Sequence, residues 1–162
     1  MTDRMIFALF ATMSGLMAGF FFAWTNPAMM GFAHTAPEVY VAAMQQINRI
    51  VQNATFGALF FGILPVAALA AWRAGWAWPV VAAAGLALTA FAVTMIFNVP
   101  MNRAMDGWDL AALPPATEIE AFRIRWQRLN TLRAVASSLG TALMAGWLAG
   151  LWGTRAPLHR PA

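Results

Sequence analysis

The stretch WPVVAAAGLALTAFAVTMIFNVPMNR, residues 78–103, carries no charge until its last position and sets a proline between two asparagines near its end. About 20 apolar residues in a row suffice to cross a hydrocarbon core about 30 Å thick. The segment therefore reads as a membrane span over about 76–97 that closes at Asn98, Pro100 and Asn102. Three more charge-free gaps of similar length separate Arg4 from Glu38, Arg49 from Arg73 and Arg133 from Arg155. Of the 162 residues, 61% are hydrophobic and 10% charged, where a soluble domain carries about 25% charged residues. The expected fold is all-α: one integral membrane domain, residues 1–162, forming a four-helix bundle with spans at about 5–30, 54–72, 76–97 and 132–152.

The first apolar run is longer than a signal-peptide core of about 7–15 residues and ends in Thr25-Asn26-Pro27 instead of a small-residue cleavage site, so it reads as a retained helix. Pro27 is expected to kink or end it. Next, EVYVAAMQQINRIVQN at 38–53 puts Val41, Met44, Ile47 and Val51 on one face and Gln45, Asn48, Arg49 and Gln52 on another. That pattern predicts an interfacial amphipathic helix. Thr117 and Glu120 form a capping-box pattern that opens a fourth helix too long for the bilayer, whose first third projects from the membrane. Gly15 with Gly19, and Gly146 with Gly150, have the spacing that lets helices approach closely, and offer seams for a homo-oligomer.

Cysteine is absent, which removes disulfides and thiolate metal sites. The ten basic residues are all arginine, without the basic run or aromatic interleaving of a nucleic-acid surface. Thioethers at Met29, Met30, Met101 and Met105 suit cuprous copper in principle, but packing is the reading taken, and no metal site is expected. With four crossings, the termini, Arg73, Arg155 and His159 share one side, read from the arginine balance as the cytoplasmic face of a bacterial inner membrane.

Polar residues collect on the other side. Arg123, Trp126, Asn130, Arg133 and Ser137 follow at intervals of three, four, three and four, which makes one helical stripe. Where such a stripe enters the apolar region it faces the bundle interior and needs partners, and Asn98, Asn102 and Asn48 are in reach. Arg123, Arg125 and Arg128 read as a solvated or lipid-facing set. Asn26, Asn48, Arg49, Asn53, Asn98, Asn102, Arg103, Asn130 and Arg133 together read as a pocket.

GLMAGFFFAWTNPAMM (15–30), MQQIN (44–48), NVPMN (98–102) and RWQRLNTLR (125–133), in that order, resemble the anthrone oxygenase-like family of small four-span membrane proteins. The resemblance covers nearly the whole chain and carries over Asn48, Asn98, Pro100, Asn102, Trp126, Asn130 and Arg133. The chain departs from the pattern at Leu129, where the family usually has tryptophan, at Thr131, where it has histidine, and at Ala134, where it has threonine. The resemblance implies oxidation of a lipophilic polycyclic aromatic, anthrone to quinone, with molecular oxygen as co-substrate and no cofactor. In that chemistry Asn98, Asn102 and Asn130 would donate hydrogen bonds to substrate oxygens, while Arg133 or Arg49 would stabilise an oxyanion. Trp126 would offer a stacking face, and Asn48 and Asn26 would help bind. His34 is the histidine on the pocket side and the first candidate proton acceptor, with Asp106, Asp109 and Glu38 as alternatives. A non-catalytic binding or carrier protein, or a structural membrane subunit, is the competing reading.

Overall fold

The structure is a computed structural model that describes residues 2–152. Arg155 and His159, assigned above to the terminal side, lie outside the described residues. Among the described residues the secondary structure is helical throughout. Helix α1 (Asp3–Ala23) starts at Thr2, whose hydroxyl accepts the Met5 N–H at 3.4 Å. It does not end at Pro27. A π-helical turn, Trp24–Ala28, takes up the proline, and α2 (Met29–Phe32) continues the rod to a total of 30 residues. A wider turn relieves the clash of the proline ring with the preceding carbonyls and spares the missing N–H.

The same device repeats at the stretch that opened the sequence reading. Helix α5 (Trp78–Val93) passes through a second π turn, Thr94–Asn98, into α6 (Val99–Asp106), so NVPMN lies inside a continuous 29-residue helix instead of closing one. Proline signals a disrupted ladder, and in a packed bundle neighbouring side chains can satisfy the freed groups without ending the helix.

Helix α3 (Pro37–Ile50) forms as expected, but its buried stripe is Val41, Met44, Gln45 and Asn48. Helix α4 (Ala54–Arg73) is capped by Asn53, whose Oδ1 accepts the Phe56 N–H at 3.0 Å. Helix α7 (Ala116–Leu148) starts after Pro115, one residue before Thr117. No capping box forms, because the Glu120 carboxylate instead takes a two-pronged bond from Arg123, at 2.6 and 2.7 Å.

Among the described residues, the rods Asp3–Phe32 and Trp78–Asp106, with α4, are the three helices long and apolar enough to cross a membrane. The fourth predicted crossing falls on the second half of α7, which carries Arg133, Ser137, Ser138 and Thr141 and is less apolar than the others. Helix α7 packs along α1 and α5, and α4 packs along the same two, giving a helical membrane bundle in which α7 has protein on two sides. An enclosed helix can carry polar side chains that a lipid-facing one cannot.

Two apolar clusters build the interior. The larger joins α1, α4, α5 and the C-terminal half of α7 through Phe10, Ile63, Ala70, Ala83 and Met144. The smaller joins Met29, Tyr40, Val41, Met44, Met105, Ile119 and Trp126. It sheathes the first third of α7, the part expected to project from the membrane, whose apolar face of Ile119, Phe122 and Trp126 is covered by α2, α3 and α6. Arg123, read above as solvated, is 9% exposed and also donates to Met29 O at 3.3 Å.

One member of each glycine pair lies close to a neighbouring side chain of the same chain, while a Cβ on Gly19 or Gly150 would meet nothing within 4 Å. A Cβ on Gly15 would sit 3.7 Å from Thr141 of α7, whereas one on Gly146 would lie 2.7 Å from the Trp152 ring. Trp152 thus covers Gly146, and Gly150, at φ +73°, takes the left-handed conformation that ends a helix.

Candidate functional site

Both π turns aim at the same point on α7. Asn130, fully buried, donates from Nδ2 to Phe21 O at 2.8 Å and to Thr25 Oγ1 at 2.6 Å, across the first π turn. Its Oδ1 accepts Arg133 Nη2 at 2.7 Å. From the other side Arg133 Nη1 donates to Thr94 Oγ1, the first residue of the second π turn, at 3.1 Å. Thr94 in turn donates to Ala90 O at 2.8 Å. All of the Asn130 bonding capacity toward neighbours is spent on holding Arg133 and α1, so this residue positions the guanidinium rather than facing a ligand.

Arg133 is 5% exposed and no carboxylate pairs with it among the described residues. Its charge is offset by dipoles and π faces: the guanidinium carbon lies 4.4 Å from the Phe21 ring centre and 5.4 Å from that of Trp126. Nε has no protein partner. Burying a guanidinium without a counter-ion is costly, and here the cost is met in front of an open space.

That space is a cavity of about 450 Å³ between α1, α3, α4, α5–α6 and α7, within the range of about 300–1,000 Å³ typical of small-molecule sites. Its walls are aromatic, from Phe20, Trp24, Phe56, Phe60, Phe61 and Trp126. Polar groups enter from Asn48, Gln52, Asn53, Thr94, Asn102, Arg103, Asp106 and Arg133. Trp126 meets Trp24 edge-on at 5.9 Å, and its Nε1–H donates to Asn102 Oδ1 at 2.8 Å. The Asn102 oxygen is thus occupied, which leaves its NH2 as the end able to bond a ligand.

The amides of α3 hold the mouth. Gln45 Nε2 donates to Met105 O and Trp108 O, both at 2.9 Å, tying down the C-terminal end of α6. Asn48 Nδ2 reaches Asp106 Oδ1 at 3.4 Å. These contacts explain why the buried stripe of α3 includes two residues that apolarity alone assigns to its polar face: the end of α6 presents carbonyls and a carboxylate that need donors.

Of the residues proposed from sequence, Asn48, Asn53, Asn102, Arg103, Trp126 and Arg133 line the cavity, and so does Asp106, one of the alternative proton acceptors. Asn130 sits behind Arg133. Asn98 is 1% exposed in the second π turn, with neither end of its amide bonded to protein, and is not part of the cavity wall. His34 is exposed in the turn after α2, and Arg49 and Asn26 are exposed on α3 and in the first π turn; none of the three reaches the cavity. His34 and Asn26 stand in short turns that offer no periodicity from which facing could be read, whereas Arg49 lies on the polar face of α3, one residue past the buried Asn48. Thr131, where the resembled family has histidine, is on the exposed face of α7 and back-bonds to Gln127 O at 2.9 Å, so the departure falls outside the cavity. Sequence reasoning missed Thr25 and Thr94, which sit in the two π turns, and the phenylalanine walls on α1 and α4, all of which look like ordinary span residues along the chain. Met29 and Met105 are buried in the smaller cluster, Met101 packs against it and Met30 is exposed, an arrangement of packing residues.

The outer end of the site is pinned by the Glu120–Arg123 pair, in which the guanidinium bonds hold the carboxyl below its usual range and the carboxylate raises the arginine further. Burial pushes the Tyr40 phenol above its usual value.

No curated protein and no solved structure matches the chain significantly. A protein family does: the pattern described as Anthrone oxygenase matches residues 44–143. That span runs from the α3 amides past Arg133 and takes in all the polar side chains of the cavity wall named above. With well over half its length so matched, the chain belongs to the anthrone oxygenase family.

Proposed function

We propose that the cavity binds a flat, lipophilic polycyclic aromatic ketone of the anthrone type and oxidises it to the quinone with molecular oxygen, without a cofactor. The observation that carries this reading is Arg133, a buried cation without an acidic partner on the wall of an aromatic cavity. An anthrone holds an acidic methylene across the central ring from its carbonyl. Removing one methylene proton places the electron pair on the ring system and the carbonyl oxygen, and this electron-rich anion reacts with oxygen directly. The overall change is ketone plus O2 to quinone plus water: the methylene carbon loses two hydrogens and gains one oxygen.

The chain's part is to bind, orient and stabilise. Arg133, held by Asn130 and Thr94, donates to the oxygen on which charge develops; a fixed donor of this kind contributes about 2.7–4 kcal/mol to such a step. Trp24, Trp126 and the phenylalanines stack on the rings and keep water out. Asn102 offers its NH2 to a second ring oxygen. Detergent-purified protein mixed with a simple anthrone in air should raise the quinone absorbance well above the buffer rate. Tight quinone binding without acceleration would overturn the catalytic reading in favour of a binding or carrier protein.

A further inference from the structure

We infer that Asp106 is the proton acceptor of this site, an inference that rests on the function proposed above. The reaction needs a base, and the candidates can be weighed by position. Asp3 is paired with Arg73 and Glu120 with Arg123. His34, Glu38 and Glu118 are exposed away from the cavity, and exposed Asp109 caps the loop by accepting the Ala111 N–H at 2.9 Å. Asp106 is the one carboxylate among the described residues that lines the cavity.

Three features fit it to the task. First, it is held in place: buried Asn48 bonds Oδ1, and Gln45 fixes the backbone on either side, at Met105 and Trp108. Oδ2 receives no protein donor among the described residues and is the basic atom left to act. Second, Asp106 and Arg133 line one cavity without forming an ion pair with each other. The two charges therefore leave room for a molecule between them. A ketone whose carbonyl and methylene lie at opposite ends of the central ring needs its oxyanion donor and its base apart, and here the two groups come from different helices, Asp106 from α6 and Arg133 from α7. Third, Asp106 is half-buried at the end of α6, whereas Arg133 is fully buried, so a proton taken from the substrate has a short way to water. In the step, the methylene C–H bond breaks, the proton passes to Asp106 Oδ2, and the electron pair moves onto the ring and the oxygen facing Arg133. Oxygen then takes up the electrons.

The step can be observed without oxygen, as exchange of the methylene hydrogens with deuterated water under argon. The full-length wild type should accelerate exchange, and Asp106→Asn should lose that acceleration by about 10²–10⁴-fold, with quinone affinity within about twofold of wild type. Asp106→Ala should behave alike, and added formate should restore part of its exchange. At alkaline pH, where the substrate ionises unaided, Asp106→Asn should oxidise it nearly as fast as wild type. Undiminished exchange in an Asp106→Asn protein that binds quinone would overturn the assignment while leaving the function intact. A wild type that binds quinone yet neither exchanges nor oxidises would bring down the function, and the assignment with it.

Discussion

The two ends of this bundle are built by different rules. At the terminal end, α1, α4, α5 and α7 meet through alanines and large apolar side chains: Ala67, Ala70, Ala83 and Ala87 with Phe10, Ile63 and Met144. Small residues let the backbones close up, so that a Cβ on Gly140 would come within 3.6 Å of Ala83 O. A second void, where Phe21 and Ser137 mark the border between the two ends, measures about 10 Å³, near the lower limit for one water. At the other end the same four helices, joined by α3 and α6, enclose about 450 Å³. There the polar groups are held by one another, and two π turns break the helical register. The lesson is that the closed end supplies stability while the open end spends part of it to hold a buried guanidinium beside a cavity.

Substitutions at the two ends should therefore separate stability from activity. The largest effect is expected for Arg133→Met, with anthrone oxidation down by about 10²–10³-fold and thermal unfolding in detergent unchanged or shifted upward, since an apolar replacement of a buried charge is often neutral or stabilising. Loss of folding in that variant would mean the guanidinium holds the fold and not the reaction. At the closed end, Phe10→Ala should behave oppositely. It should cost about 3–5 kcal/mol of stability, read as a lower unfolding midpoint, with the folded fraction turning over at the wild-type rate.

Smaller changes sharpen the contrast. Trp126→Phe keeps a stacking ring but removes the bond to Asn102, and should weaken quinone binding by about 1 kcal/mol, measurable by fluorescence titration. Asn98→Leu removes an amide that has no protein partner. Its midpoint should stay within about 0.5 kcal/mol of wild type or rise, because nothing bonded is lost; a large drop would show that the amide is satisfied by bound water. The smallest effect concerns pH. The carboxyl of Glu120 is held below its unfolded value of about 4.3, so its contribution is complete above that pH and fades as pH falls through the lowered value. Mild acid should increase hydrogen exchange in the first turns of α7 and leave the closed end unaffected.

Much of this architecture is legible along the chain. The charge-free gaps are readable as four spans because the bilayer admits only segments without charge over about 20 residues, and among the described residues three of the four fall on helices long and apolar enough to cross; the stripe from Arg123 to Ser137 gives the inward face of α7, where all five residues are buried. Asn48, Asn102, Trp126 and Arg133 could be nominated as wall residues because a polar group in an apolar helix has few places to go. Other features were settled only by packing. Pro27 and Pro100 look like stops, yet Pro27 lies within a π turn and Pro100 just after one, each inside one continuous rod, and α7 bonds both turns, Asn130 to Phe21 O and Thr25 at the first and Arg133 to Thr94 at the second. Gln45 counts as solvent-facing until the end of α6 arrives to be bonded. Asp106 is one loop charge among several in the sequence; its place on the cavity wall comes from α3 and α6 meeting some 58 residues apart in the chain. Periodicity and hydropathy are local quantities and report which face of a helix avoids water. Which of those faces meet, and around what space, depends on contacts between distant segments that no local pattern encodes.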